Sequence, residues 1–131
     1  MATHIRPVLA ANWKMHHGPT AATEFLQTFL TRYLRRDDRT VILFPSAIAF
    51  TVARSAATTR LDVHFGVQNI HQAEKGAFTG ETSASMAADA GAAFVLVGHS
   101  ERRHVFGETD EQTGKKCVAA SRAGLSRVAG R

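Results

Sequence analysis

One cysteine, three prolines, one tryptophan and one tyrosine stand among 131 residues, and each shortage removes a class of protein. Cys117 alone cannot close an internal disulfide, so covalent staples are excluded and a reducing compartment suits the chain. With few prolines and no low-complexity run there is no interior linker, and a single domain over residues 1–131 is expected. The longest apolar runs, 41–44 and 92–97, fall far short of the ~20 residues that span a bilayer, so no membrane partner is expected. Residues 1–7 lack a basic cluster followed by a long apolar segment, which argues against a secretory leader and for a cytoplasmic address.

Acidic residues are also in deficit: 11 Asp and Glu face 16 Lys and Arg, for a net charge of +5. Such a balance suits an anionic partner, a phosphorylated metabolite or a nucleic acid. The basic residues are scattered without interleaved aromatics to build a stacking platform, so no nucleic-acid partner is expected. Lys115, Lys116, Arg122 and Arg127 read as a solvated face. His4, His16, His17, His64, His71 and His104 show no metal-ligand spacing with Cys117, and no metal is expected.

What is present is a regular alternation. Residues 8–12 form an apolar run, and Gly18-Pro19-Thr20 then opens a helix. Ala22, Phe25, Leu26, Phe29, Leu30, Tyr33 and Leu34 fall on one face of that helix, with Arg35 and Arg36 at its carboxyl end, where the helix dipole favours cations. Residues 40–44 are β-branched and apolar throughout, as in a strand buried on both faces of a parallel sheet. Pro45 ends that strand, and Ser46 is the expected cap of a second helix with Ile48 and Val52 on its buried side. Further strands are expected at 63–68 and 93–97, with helices at 83–90 and 110–123; Gly124 is placed to end the last helix.

Four strands alternating with four helices predict an α/β fold with a parallel sheet. An open doubly wound sheet would carry a glycine-rich phosphate turn after its first strand, whereas here that turn reads Ala11-Asn12-Trp13-Lys14-Met15-His16. Four βα units of a (β/α)₈ TIM barrel, a half-barrel, fit better. In such barrels the active site is assembled at the carboxyl ends of the strands. Asn12-Trp13-Lys14-Met15 follows the first strand and His99-Ser100-Glu101-Arg102-Arg103 follows the fourth, so both motifs are expected on one rim. A lysine and a histidine there suit polarisation of a carbonyl, with positive charge and hydrogen-bond donors stabilising an enediolate as it forms.

These motifs, with Gly66-Val67-Gln68-Asn69, Gly76-Ala77-Phe78-Thr79-Gly80-Glu81-Thr82-Ser83 and Phe106-Gly107-Glu108-Thr109-Asp110-Glu111, closely resemble the triosephosphate isomerase family in its own order. The resemblance implies interconversion of dihydroxyacetone phosphate and glyceraldehyde 3-phosphate through an enediolate, without a cofactor. It makes Asn12 and Lys14 substrate-binding residues, Lys14 the electrostatic anchor and His99 the electrophile. The neutral state of that imidazole is a property of the family, carried over with the resemblance. Glu101 is implied to help position Lys14 and the reacting groups, and Ser100 to support them by hydrogen bonding. Gln68 and Glu108 take structural roles at a subunit contact or barrel end, and Thr79 that of the residue crossing a dimer interface.

Two features set the chain apart from the family pattern. A complete barrel takes ~250 residues, and residues 126–131 lack the apolar run of a buried strand, so a divergent tail is expected there. The family's glutamate base follows its sixth strand on a mobile lid, and the phosphate site lies mainly after strands six to eight. The sequence therefore leaves two readings: an isomerase, or a catalytically impaired, truncated half-barrel or interaction protein. Exposed sheet edges on a half-barrel predict a homodimer or larger oligomer.

Overall fold

The structure, a computed structural model, describes residues 5–129, so the readings on His4, on the start of the 1–7 segment and on residues 130–131 of the tail lie outside the described residues. The chain divides into two compact units, one ending at Phe65 and the other beginning at Gly66.

In the first unit, β1 (Val8–Asn12), α1 (Pro19–Arg32), β2 (Thr40–Phe44) and α2 (Phe50–Ala56) lead into β3 (Val63–Val67). β1 pairs with β2 in parallel from Val8 opposite Thr40 to Asn12 opposite Phe44, and β2 pairs with β3 from Val41 opposite Val63 to Leu43 opposite Phe65. With a neighbour on each side, β2 is the buried strand its composition predicted, from Val41 to Phe44. Full burial of side chains such as Phe44, Ile42 and Leu26 contributes ~1.5–3 kcal/mol each. β1 has a strand partner on one side among the described residues, and its Val8 and Leu9 stay half exposed.

Helix α1 starts at Pro19, whose missing N–H is no loss in a first turn. Ala22 and Leu26, four residues apart, are its buried residues. Phe25, Phe29 and Tyr33 stack one above the next with ring centroids 5.6 and 5.1 Å apart. The helix ends at Arg32, earlier than its apolar period suggests, because Tyr33 turns to extended backbone, and Leu34 is thereby exposed. Arg35 and Arg36 consequently do not sit on the last turn; they pair with Asp37 and Asp38 instead. Hydrogen bonds from Arg36 and then Arg39 hold the Asp38 carboxyl well below the usual carboxylate range.

The second helix also differs from expectation. Residues 47–49 form a turn, α2 begins at Phe50, and its buried residues are Phe50 and Ala53 rather than the exposed Ile48 and partly exposed Val52. Phe50 meets Phe65 edge-on at 6.4 Å. A bulky ring at that phase outweighs the smaller Ile48 and Val52 for the inward position. Ser46 caps no helix: its hydroxyl donates to the His17 carbonyl at 3.3 Å.

In the second unit the end of β3 leads to α3 (Ala84–Asp89), β4 (Phe94–Val97), α4 (Ser100–His104), α5 (Asp110–Arg122) and β5 (Ser126–Ala129). Gly66 and Val67 of β3 pair in parallel with Phe94 and Val95. Ser83 caps α3 by accepting the Met86 N–H at 3.1 Å. Thr109 and Gln112 close a capping box at the start of α5, each side chain accepting the other's backbone N–H.

Within the divergent tail, residues 126–129 form a strand although they lack the apolar run of a buried one. β5 pairs in parallel with β4 from Phe94 opposite Ser126 to Val97 opposite Ala129. Leu125 is buried at its start, whereas three of its four residues are exposed. The ladder is made by backbone groups, and a strand lying against one neighbour does not need apolar side chains on both faces. Among the described residues, five parallel strands rather than four thus accompany the helices of this α/β chain.

Candidate active site

Asn12 is the last residue of β1, and its side chain sets the turn that follows. Its Oδ1 accepts the Lys14 backbone N–H at 2.9 Å, a side-chain turn for which asparagine is suited. Lys14 takes a positive φ of 53°, a region where a side chain other than glycine's is strained by about 1–2 kcal/mol. The exposed Lys14 is thus held in a costly backbone state just beyond a strand end, the kind of strain that accumulates at functional sites. Trp13 between them is buried, edge-on to Phe25 and to His17 with centroids 5.1 Å away. The Trp13 backbone N–H donates to the Phe44 carbonyl at 3.1 Å, extending the β1–β2 ladder by one bond. Burial of Trp13 anchors the turn from which Lys14 projects.

In the second unit β4 ends at Val97, and Gly98 turns the chain with φ 60°. His99 caps α4 with its own ring: Nδ1 accepts the Glu101 N–H at 3.2 Å. An imidazole nitrogen that accepts carries no proton, so the neutral ring holds its proton on Nε2 and presents a donor there. The Glu101 carboxylate lies 3.6 Å from the same Nδ1. His99 is largely buried, its side chain 15% exposed against 44% for Glu101.

Behind α4 lies a charged cluster. Lys116 donates to Asn69 Oδ1 at 2.8 Å and directly to the Glu108 carboxylate. Thr113 donates its hydroxyl to the other Glu108 oxygen at 3.2 Å. Burial pushes the Glu108 carboxyl up, but the hydrogen bond and charge of Lys116, with Thr113 and Arg102, outweigh it and leave it below the usual range. Lys116 is therefore a buried ion-pair residue and not part of a solvated face. Thr113, Lys116 and Ala120 share one side of α5 by their spacing, so helical phase was the signal that would have placed Lys116 inside.

The remaining candidates are dispersed. Ser100 is the first residue of α4, Gln68 is half buried just beyond β3, and Thr79 is exposed on the loop between β3 and α3. Glu108 turns inward, into the cluster just described. Among the described residues, no three His, Cys, Asp or Glu side chains gather as a metal-binding group, and no helix is long and apolar enough to cross a membrane.

The family model described as Triosephosphate isomerase matches residues 7–129. The chain is 44% identical over 124 residues to triosephosphate isomerase of Acetivibrio thermocellus, covering 94% of this chain and 49% of that protein. It is 43% identical over 119 residues to the Symbiobacterium thermophilum protein of the same name, covering 91% and 46%, and 40% identical over 124 residues to that of Aquifex aeolicus, covering 95% and 50%. The chain spans about half the length of the curated relatives it matches. The match runs through both strand-end motifs and onward through β5, and the chain belongs to the triosephosphate isomerase family.

Proposed function

We propose that this chain supplies the carbonyl-polarising groups for isomerisation between dihydroxyacetone phosphate and glyceraldehyde 3-phosphate. Lys14 acts as the fixed positive charge, Asn12 shapes its turn and contacts substrate, and His99 donates from Nε2 to the oxygen on which enediolate charge develops. The observation that carries the reading is the His99 Nδ1 bond to the Glu101 N–H, because it commits the ring to donating from Nε2. Glu101 and Ser100 hold this arrangement, and no cofactor takes part. Proton abstraction needs a carboxylate base, which in the family follows a sixth strand.

A second reading is a chain that binds triose phosphate without appreciable turnover. It holds if no carboxylate base meets the substrate beside Lys14 and His99. A positioned general base contributes ~10²–10⁴-fold, so its loss separates the readings. We place the chain in the cytoplasm, as a homodimer or larger oligomer. The exposed Thr79, beside the half-exposed Phe78, serves the subunit contact, with Gln68 supporting it and Glu108 bracing the barrel end.

A coupled isomerase assay on the purified chain, with dihydroxyacetone phosphate binding followed at the His99 ring by NMR, tests this. Turnover abolished by His99→Asn supports the isomerase; binding at His99 without turnover supports the second reading. No binding at any attainable concentration overturns both.

A further inference from the structure

Arg103 lies one turn beyond His99 on α4 and makes contacts that the family motif alone does not explain. Its Nε donates to the carbonyl oxygen of Gly98 at 3.0 Å, and its Nη1 pairs with the Asp110 carboxylate. One guanidinium thus ties the last peptide before His99 to the first residue of α5. The Gly98 position is closed around this group. A Cβ built there would lie 3.1 Å from Arg103 Nη2, 3.3 Å from its Nε and 2.9 Å from Thr113 Cγ2. Gly98 also holds φ +60°, which glycine adopts without strain. The chain bends at Gly98, and the carbonyl at the bend is clamped.

We infer that Arg103 is a positioning residue: by holding the Gly98 carbonyl it fixes the backbone that aims the His99 ring, and so maintains the Nδ1 bond to the Glu101 N–H. Three observations converge on this. The peptide that Arg103 grips is the one whose ψ leads directly into His99. The ring's acceptor bond to the Glu101 N–H, two residues on, depends on where that backbone places the imidazole. The grip is planar and two-ended, with separate nitrogens for the carbonyl and the carboxylate, a geometry that an arginine fork provides and a lysine ammonium does not. Arg103 touches no substrate in this scheme; it acts through His99. The inference rests on the proposed role of His99 for its functional meaning, though not for its test.

The experiment uses the whole chain without substrate. His99 is followed by imidazole ¹⁵N NMR, and Glu101 by exchange of its backbone amide, in the wild type, in Arg103→Met and in Arg103→Lys. Lysine keeps a charge facing Asp110 but has no N–H at the place of Nε, so it separates the carbonyl grip from ion pairing. In both variants the single Nε2–H tautomer should give way to a mixture. Exchange of the Glu101 amide should rise roughly tenfold or more, as expected when a charge-assisted constraint on its acceptor is lost. Should Arg103→Met fail to fold, Arg103→Lys carries the decision, with its far-ultraviolet dichroism as the check on folding. A folded Arg103→Lys that keeps the wild-type tautomer and Glu101 protection overturns the inference. The two readings also separate: loss of tautomer order with no isomerase activity in any form refutes the isomerase and leaves the positioning role standing. Where the wild type does turn over, kcat should fall in Arg103→Lys with KM little changed.

Discussion

Lys116 and Glu108, eight residues apart, meet as a buried ion pair, with Lys116 also bonded to Asn69 beyond the end of β3. Removing one charge from such a pair leaves the other desolvated and alone. Lys116→Met should therefore destabilise the fold by about 3–5 kcal/mol, whereas pairing it with Glu108→Leu should recover a large part of that loss. Urea denaturation of the two single variants and the double variant measures the coupling. Additive losses would show that the charges do not meet.

The same carboxylate makes stability depend on acid. Its folded value lies below its ordinary one, so its contribution is complete above the unfolded carboxyl value of about 4.3. The contribution is lost as pH falls through the lower, folded value. Melting temperature should thus drop on acidification below about pH 4 more steeply in the wild type than in Glu108→Gln. Glu108→Gln should already melt lower at neutral pH. Parallel melting curves between pH 5 and pH 3 in the two proteins would count against this assignment.

Lys14 offers a separation of stability from binding. Glycine at this position removes strain of about 1–2 kcal/mol but adds about 0.5–1 kcal/mol of entropy to the unfolded chain. Lys14→Gly should leave stability within about 1 kcal/mol of the wild type, or slightly above it, while dihydroxyacetone phosphate binding is lost. Calorimetric titration and thermal melting of the same sample read both quantities. A strongly destabilised Lys14→Gly would mean that the side chain holds the fold.

Gly98→Ala should be harmful, because its methyl meets Thr113 at 2.9 Å and its backbone sits at φ +60°. A loss of about 1–3 kcal/mol is expected from strain and overpacking together. Combining it with Thr113→Ser, which removes the Cγ2 in question, should restore part of the loss. A Gly98→Ala protein as stable as the wild type would show that the turn relaxes freely.

Much of the architecture was legible where apolar residues had to be hidden. The continuous run of β2, the glycine-proline start of α1 and the helices expected over 83–90 and 110–123 are each found. Beyond the early end of α1 and the inward ring of Phe50, what stayed hidden is structure held by backbone or charge, which leaves no hydrophobic pattern. β5 is a ladder with exposed side chains, and α4, Ser100–His104, contains no apolar period at all. Lys116 carries a charge that suggests a solvated face, whereas its phase on α5 places it inside. At the site, residue types and their places after strand ends could be read, and the resemblance supplied their roles. Geometry was out of reach: neither the left-handed backbone of Lys14 nor the grip of Arg103 on a carbonyl five residues back has a sequence signature.

Trp13 is the only tryptophan in the chain, and it occupies the turn between Asn12 and Lys14. Its indole is 8% exposed and lies edge-on to the ring of His17. The protein therefore carries its own optical reporter in the turn from which Lys14 projects. Any rearrangement that lifts this turn off Phe25 passes the indole from a dry to a wet setting and moves its emission to longer wavelength. Occupancy of the Lys14 turn, local loosening of α1 and global unfolding all register through one chromophore, separable by the concentration of ligand or denaturant at which each occurs.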